Sequence, residues 1–162
     1  MVTLAAHGIR ANLPGGFEGR IARRVPAPGE QSFAVAHFAT FPISSDTADF
    51  GGGAVNRMGA SDVFAVLFEY GPESIGTKLF ARRGMPRGLQ ERDFRPYVLR
   101  RGIPGQAGTQ WFFQVSGRPF TFYAVLGSYS RRVQLVPRLN DLLAGLHVAN
   151  PPAAVAPTLQ WN

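Results

Sequence analysis

The residues best suited to bind a metal ion or to transfer a proton are three histidines, and they lie far apart in the sequence. They are His7, His37 and His147, and no pair has the His-x-x-x-His spacing that places two ligands on one helix face. His37 lies on an apolar strand face, which is typical of a hydrogen-bonded core residue. His147 is expected near a helix C-terminus, where the helix dipole favours a cation. The sequence therefore predicts no metal site.

Paired acids and activated nucleophiles are equally scarce. Asp46 and Asp49 lie in a turn-rich segment, where Asp commonly accepts hydrogen bonds from its own backbone, and Asp62 is the first residue of a predicted strand. The chain has no cysteine and no Gly-x-Ser-x-Gly motif, and Gly127-Ser128 is best interpreted as a strand-to-helix turn. The carboxylates considered for paired acid chemistry are Asp46, Asp49, Asp62, Glu69 and Glu73. We therefore expect no catalytic residues and no enzyme activity.

A run of three glycines, Gly51-Gly52-Gly53, is the nearest approach to a phosphate-binding loop. A dinucleotide site needs Gly-x-Gly-x-x-Gly between a strand and a helix, and a nucleotide P-loop needs Gly-Lys-Ser/Thr at its end. Neither motif is present, so a simple loop is favoured and no cofactor is expected. The alternative is a small-ligand site or enzyme pocket between the sheet and this loop, where His37 would meet Asp46 or Asp62.

The charge balance is strongly basic, with 17 basic and 10 acidic residues and a formal net charge of +7. Such a charge ordinarily suggests an acidic partner. The arginines are dispersed, however, and neighbouring residues point to opposite faces of a strand, so a pair of neighbours does not build a one-sided patch. The neighbouring pairs are Arg23-Arg24, Arg82-Arg83, Arg100-Arg101 and Arg131-Arg132. A solvated surface is favoured, and nucleic-acid binding through arginine remains an alternative.

Alternating apolar residues predict an antiparallel sheet. Residues 7–13 and 17–23 are expected to form a first hairpin across the turn at residues 14–16. Residues 32–41 are apolar on both faces, which is typical of a strand in the middle of a covered sheet. Residues 62–70 are the clearest strand because they are rich in β-branched and aromatic side chains.

The C-terminal part of the pattern predicts a second hairpin followed by a helix. Residues 109–116 and 119–127 flank Gly117-Arg118, which fits a type II′ turn. A kinked amphipathic helix is expected from about Ser130 to Leu143, with Pro137 inside it and an end near Gly145. Its apolar stripe is Val133, Val136, Leu139, Leu142, Leu143 and Leu146. Earlier helical segments are expected over residues 72–82 and, as one turn, near residues 54–58.

The order of these elements carries a family resemblance. Its features are an opening strand running into Leu13, Pro14, Gly16, Phe17 and Glu18, two long middle strands, paired strands around Gly117-Arg118, and a closing amphipathic helix before His147-Val148. In these features residues 7 to 148 resemble PsbP-like proteins, in particular small members from high-GC bacteria. The resemblance implies an antiparallel sheet between helical layers, used as a non-enzymatic binding or assembly module. Phe17 stands where those proteins usually have tryptophan, and no export signal is found, so a photosynthetic role is not implied.

The sequence thus predicts one α+β domain over residues 1–148, an antiparallel β-sheet flanked by helices, and a Pro/Ala-rich extended tail over residues 149–162. No apolar run approaches the roughly 18–20 residues needed to span a bilayer, and a cytoplasmic chain is expected. We expect a non-catalytic binding or assembly subunit that docks on a larger protein complex, with a protein partner or a second copy of itself. The expected contact residues are Asp46, Asp49, Phe50, Arg57, Arg82, Arg83, Arg87 and Trp161.

Overall fold

The chain forms two antiparallel β-sheets and one α-helix. The computed structural model describes residues 2–23, 28–29, 32–44, 53–96 and 103–150. The elements are β1 (Val2–Ala6), β2 (Ile9–Leu13), β3 (Glu18–Arg23), β4 (Ala34–Ala39), β5 (Val63–Glu69), β6 (Ala107–Val115), β7 (Arg118–Leu126), α1 (Arg132–Ala144) and β8 (Leu146–Val148). The larger sheet has the strand order β3-β4-β5-β7-β6, and the smaller sheet has the order β1-β2-β8. The predicted α+β class with antiparallel strands is confirmed, whereas the described residues hold one α-helix in place of flanking helices.

Strands β4 and β5 form the centre of the larger sheet, as their apolar residues on both faces predict. Every residue of β4 is buried, and β5 is buried except at the partly exposed Phe68. β5 pairs with β4 on one side and with β7 on the other. Since a strand that is apolar on both faces is most stable when both faces are covered, its central position follows from residue type alone.

The hairpin of β6 and β7 is confirmed, but its turn lies one residue earlier than predicted. Val115 pairs with Arg118, so the two turn residues are Ser116 and Gly117, with φ angles of 53° and 70°. Two positive φ angles define a type I′ turn, not the type II′ turn predicted at Gly117-Arg118. The shift makes Arg118 the first residue of β7, where its side chain is buried.

The predicted hairpin between residues 7–13 and 17–23 is wrong. His7 and Gly8, with φ angles of 53° and 75°, form a second two-residue turn that joins β2 to β1. This turn gives β2 a nearer partner than β3, and the other side of β2 pairs with β8. β3 pairs instead with β4, so consecutive strands belong to different sheets.

Two short 3-10 turns, Pro72–Ser74 and Lys78–Phe80, replace the helix predicted over residues 72–82. Gly76 lies between them, and glycine weakens a helix interior because it loses the most backbone entropy. Phe80 is buried in this segment, while its neighbour Leu79 is exposed. The helical turn predicted near residues 54–58 is confirmed as a 3-10 turn at Ala54–Arg57.

Helix α1 packs one apolar face against the core and ends at Gly145, close to the predicted positions. Its buried residues are Leu135, Val136, Leu139, Leu142 and Leu143. Val133 was predicted on this face, but it is 64% exposed, and Pro137 lies inside the helix as expected. None of the helices in the described ranges is both long and apolar enough to cross a membrane.

The larger sheet has a hydrophobic cluster on each face. On one face, sheet residues such as Phe122 pack with Leu139 of α1 and with Ala11 of the smaller sheet. On the other face, Phe64 packs in a second cluster with Val55 of the 3-10 turn. The larger sheet is therefore the middle layer, and the smaller sheet and α1 share one of its sides.

A buried arginine, paired with a glutamate of its own sheet, joins the two sheets. Arg118 of β7 is 3% exposed and Glu69 of β5 is 7% exposed. The Arg118 Nε and Nη2 atoms donate to the Glu69 carboxylate oxygens at 2.6 and 3.0 Å. Nη2 also donates to the His7 carbonyl at 2.9 Å, and Nη1 donates to the Ala149 carbonyl at 3.3 Å. One guanidinium therefore binds the larger sheet, the turn between β1 and β2, and the residue after β8.

We expect Arg118→Ala to lower the free energy of unfolding by about 3–5 kcal/mol, because it leaves the Glu69 carboxylate buried without a cation. The double variant Arg118→Met with Glu69→Leu should recover part of this loss, since no buried charge remains. The exposed Arg83→Ala is the control, with a change within about 0.5 kcal/mol. Urea unfolding followed by circular dichroism measures the stability of all three variants. Equal stability of Arg118→Ala and Arg83→Ala would refute the stabilising role of the Arg118–Glu69 pair.

Candidate functional site

The three histidines do not form a site. His37 is buried and its ring stacks on Phe64 with the centroids 6.1 Å apart, as a core residue should. His7 lies in the turn before β2, and His147 lies exposed in β8 and not in the last turn of α1. Within the described ranges, no three histidine or carboxylate side chains come close enough together to hold a metal ion.

The carboxylates have structural partners. Asp62 accepts hydrogen bonds from the Gly59 amide at 2.7 Å and from the Thr40 hydroxyl at 2.9 Å, so it fixes the start of β5. Glu69 at the other end of β5 is the partner of Arg118. Asp62 and Glu69 therefore do not form a pair. The predicted pocket beside Gly51–Gly53 lies mostly outside the described residues, as do Asp46, Asp49 and Phe50.

The arginines predicted as contact residues do not lie together on one surface. Arg57 is exposed at the end of its 3-10 turn. Arg82 lies over the Trp111 ring, with its guanidinium carbon 4.4 Å from the ring centroid, and Arg83 beside it is exposed. Arg87 donates from Nη2 to the Leu146 carbonyl at 2.7 Å, and partial burial lowers the pKa of its guanidinium from the ordinary value. Trp161 lies outside the described residues.

Two short segments cover the outer edge of β6. At one end, the Gln114 amide donates to the Arg82 carbonyl and the Gly84 amide donates to the Gln114 carbonyl, both at 2.8 Å. At the other end, Arg95 and Gly108 exchange two backbone hydrogen bonds of 2.9 and 3.1 Å. Both ends of this edge are thereby closed to an added strand.

The outer edge of β8 is closed by side chains. The Arg87 guanidinium donates to the Leu146 carbonyl, and the Ser116 hydroxyl donates to the Val148 carbonyl at 2.8 Å. These carbonyls point away from β2, because the neighbouring residues 145 and 149 carry the backbone bonds to β2. The role of Arg87 in this structure is therefore to occupy the edge of β8.

Strand β3, at the far edge of the larger sheet, carries charge. Glu18, Arg20 and Arg23 are exposed on it, and charged side chains on an edge strand oppose pairing with another chain. Gly19 of β3 also lies directly under β1, since a Cβ atom there would be 2.8 Å from the Leu4 Cδ1 atom. The edge of β3 is therefore protected by its residue types.

Strand β1 has none of these protections. Its sequence, Val-Thr-Leu-Ala-Ala, contains no charge and no proline, and in the described structure it pairs only with β2. Its hairpin closes through a two-residue turn, so Leu4 and Ala6 exchange hydrogen bonds with Ala11 and Ile9. The backbone groups of Thr3 and Ala5 therefore point away from β2. We call this side of β1 the bare edge.

The sequence did not indicate the bare edge, because the first strand was expected to start at His7. The signal that identifies it is the His7-Gly8 pair, in which both residues must accept positive φ angles. Val2–Ala6 then becomes the strand that completes the hairpin. The side chains of Thr3 and Ala5 are exposed, and Val2 is 60% exposed.

A groove of about 480 Å³ runs beside α1. Its floor is formed by the buried Leu89 and Val136, and its rim by polar residues including Glu91 and Arg92. Asn140 fixes the groove's outer wall, because its side-chain amide accepts from the Leu89 amide at 2.8 Å and donates to the Leu89 carbonyl at 2.9 Å. The groove holds no nucleophile beside a base.

Comparisons with known proteins identified no relative of this chain. No family model, no curated protein and no solved structure matches this chain. The function has to be inferred from the placement of the chain's own residues, and the PsbP-like resemblance stays a prediction.

Pro137, which lines the groove beside α1, weakens that helix. It has no N–H, so the Val133 carbonyl lacks its usual helical donor. We expect Pro137→Ala to raise the free energy of unfolding by about 1–3 kcal/mol, because alanine supplies that donor and removes the clash of the ring. Urea unfolding measures the change, with the exposed Gln134→Ala on the same helix as the control. A stability unchanged from wild type would mean that the helix has already relaxed around the ring.

Proposed function

We propose that this chain is a non-catalytic binding or assembly module, and that its docking site is the bare edge of β1. The strand presents the amide and carbonyl groups of Thr3 and Ala5 to a strand from another polypeptide. Such a strand extends the smaller sheet through backbone hydrogen bonds, while the exposed side chains beside it determine specificity. On this proposal, the contact residues suggested by the sequence do not form the docking site.

The observation that carries the proposal is the contrast among the sheet edges. The edge of β6 is bridged by two segments, the edge of β8 is occupied by side-chain donors, and β3 carries three exposed charges. An open, uncharged edge is a liability for a protein that must stay free of partners. β1 is uncharged, unbridged and unoccupied within the described structure, which supports a role in pairing.

The alternatives receive less support from the described residues. For nucleic-acid binding, arginines must be available to contact phosphates, but several donate to oxygen atoms of this chain. These are Arg87, Arg118, Arg131, Arg132 and Arg138. For an enzyme, a nucleophile and a base must lie within hydrogen-bond reach of each other, and the carboxylates at Asp62 and Glu69 already have structural partners.

The proposal agrees with what the PsbP-like resemblance implies, namely a sheet used for docking and not for catalysis. It differs in assigning the contact to the first strand rather than to loops and the C-terminal tail. We also propose that the module acts in the cytoplasm, in keeping with the expectation from the sequence.

A peptide-display selection tests the docking site without a known partner. We expect random peptides of about seven residues selected on the wild-type protein to lose binding by about tenfold or more on Ala5→Lys, since a charge on an edge strand opposes pairing. Ala144→Lys, an exposed residue at the end of α1, is the control with the same change in charge. Binding is measured by biolayer interferometry. Selected peptides that bind Ala5→Lys as well as they bind wild type would place the docking site elsewhere.

A further inference from the structure

We propose that the strand received by the bare edge is β1 of a second copy of this chain, so that two copies form a symmetric dimer. This inference rests on the proposed function and names the partner. The two β1 strands would run antiparallel about a two-fold axis at Leu4, with Thr3 opposite Ala5 of the second copy and Ala5 opposite its Thr3.

The hydrogen-bonding pattern of β1 is self-complementary in this register. In an antiparallel pair, hydrogen-bonded positions alternate with positions that make no backbone bonds. Thr3 and Ala5 both direct their backbone groups outwards, and they are equidistant from Leu4. Each Thr3–Ala5 pair therefore exchanges two hydrogen bonds, and the two Leu4 residues face each other as a non-hydrogen-bonded pair. A one-residue slip would oppose groups that point away from each other.

The side chains permit this pairing. Thr3 and Ala5 are small and uncharged and share the exposed face of the smaller sheet, so the two paired β1 strands oppose no like charges. Cross-strand pairing places Arg10 beside Ala5 on the same face. The two copies of Arg10 would be separated by three strand spacings, about 14 Å. That separation exceeds the Debye length of about 8 Å at physiological ionic strength, so their repulsion is largely screened.

A second copy can be received at this edge although the whole chain is strongly basic. Each chain carries a net charge of +7, so two copies repel each other over most of their surfaces. β1 itself carries no charge, so the paired strands add no repulsion of their own. Pairing through the same strand in both copies also closes the assembly at two, because each bare edge is then covered by the other.

Two charge-changing variants at opposed positions test the register. In the proposed dimer, Ala5→Lys brings two ammonium groups close to the axis, and Thr3→Glu brings two carboxylates there. Each variant alone should weaken dimerisation by about tenfold or more. In an equimolar mixture of the two, the introduced ammonium group of one chain lies opposite the introduced carboxylate of the other. Dimerisation of the mixture should therefore return to within about threefold of wild type.

Sedimentation velocity of the full chain, from about 1 µM to about 1 mM, measures each dissociation constant. The wild type and the Ala144→Lys control should show the same rise in average mass towards the dimer. Far-UV circular dichroism and thermal melting show that the variants are folded. A wild type that stays monomeric over this range overturns the inference, and so does a mixture that dimerises no better than its components.

The outcomes also separate this inference from the proposed function. If the wild type is monomeric but selected peptides still bind the wild type and not Ala5→Lys, the edge docks a strand of another protein and the second-copy proposal fails alone. If neither pairing occurs at β1, both proposals fail.

Discussion

One buried guanidinium ties the smaller sheet to the larger one, beside the apolar cluster that the two sheets share. Arg118 and Glu69 are both nearly inaccessible to water, and desolvating two charges is costly unless each finds its full set of partners. Glu69 cannot satisfy all the donors of Arg118, so the remaining ones are met by the carbonyl groups of His7 and Ala149. The β1–β2 turn and the end of β8 must therefore lie where the guanidinium can reach them. The partners required by a buried charge, together with the shared apolar cluster, thereby hold in place the hairpin that carries the bare edge.

Glycine at position 8 is part of the same constraint. A Cβ atom there would be 2.5 Å from the Arg118 Nη1 atom, and the φ angle of 75° is one that other residues rarely adopt. The turn can approach Arg118 closely only because this residue has no side chain. The turn geometry that makes β1 a strand is therefore also the geometry that lets Arg118 hold it.

The central strands and the β6–β7 hairpin of the larger sheet could be predicted from the sequence, whereas the pairing of β3 and the smaller sheet could not. β4 and β5 are identified by residues that are apolar on both faces, which is a local property. The pairing of β2 with β8 joins the two ends of the domain, and a local pattern does not name a distant partner. Arg118 was missed for a different reason. With the turn assigned one residue too late, it became a turn residue, and a shift of one position exchanges the two faces of a strand. The bare edge was missed because the His7-Gly8 turn, which makes Val2–Ala6 a strand, was not recognised.

The bare edge of β1 is informative because the other sheet edges are protected. A chain with no means of closing its sheets would leave every edge open, and one open strand would then indicate nothing. Here the two ends of the β6 edge, the edge of β8 and the edge of β3 are protected by three different means, namely backbone bridges, side-chain donors and exposed charges. Each means requires particular residues at particular positions, such as Ser116 in a turn that already needs positive φ. A single lysine in β1 would close the last edge without touching the core, because Thr3 and Ala5 are exposed. On the proposed function, β1 lacks such a charge because the strand receives a partner there.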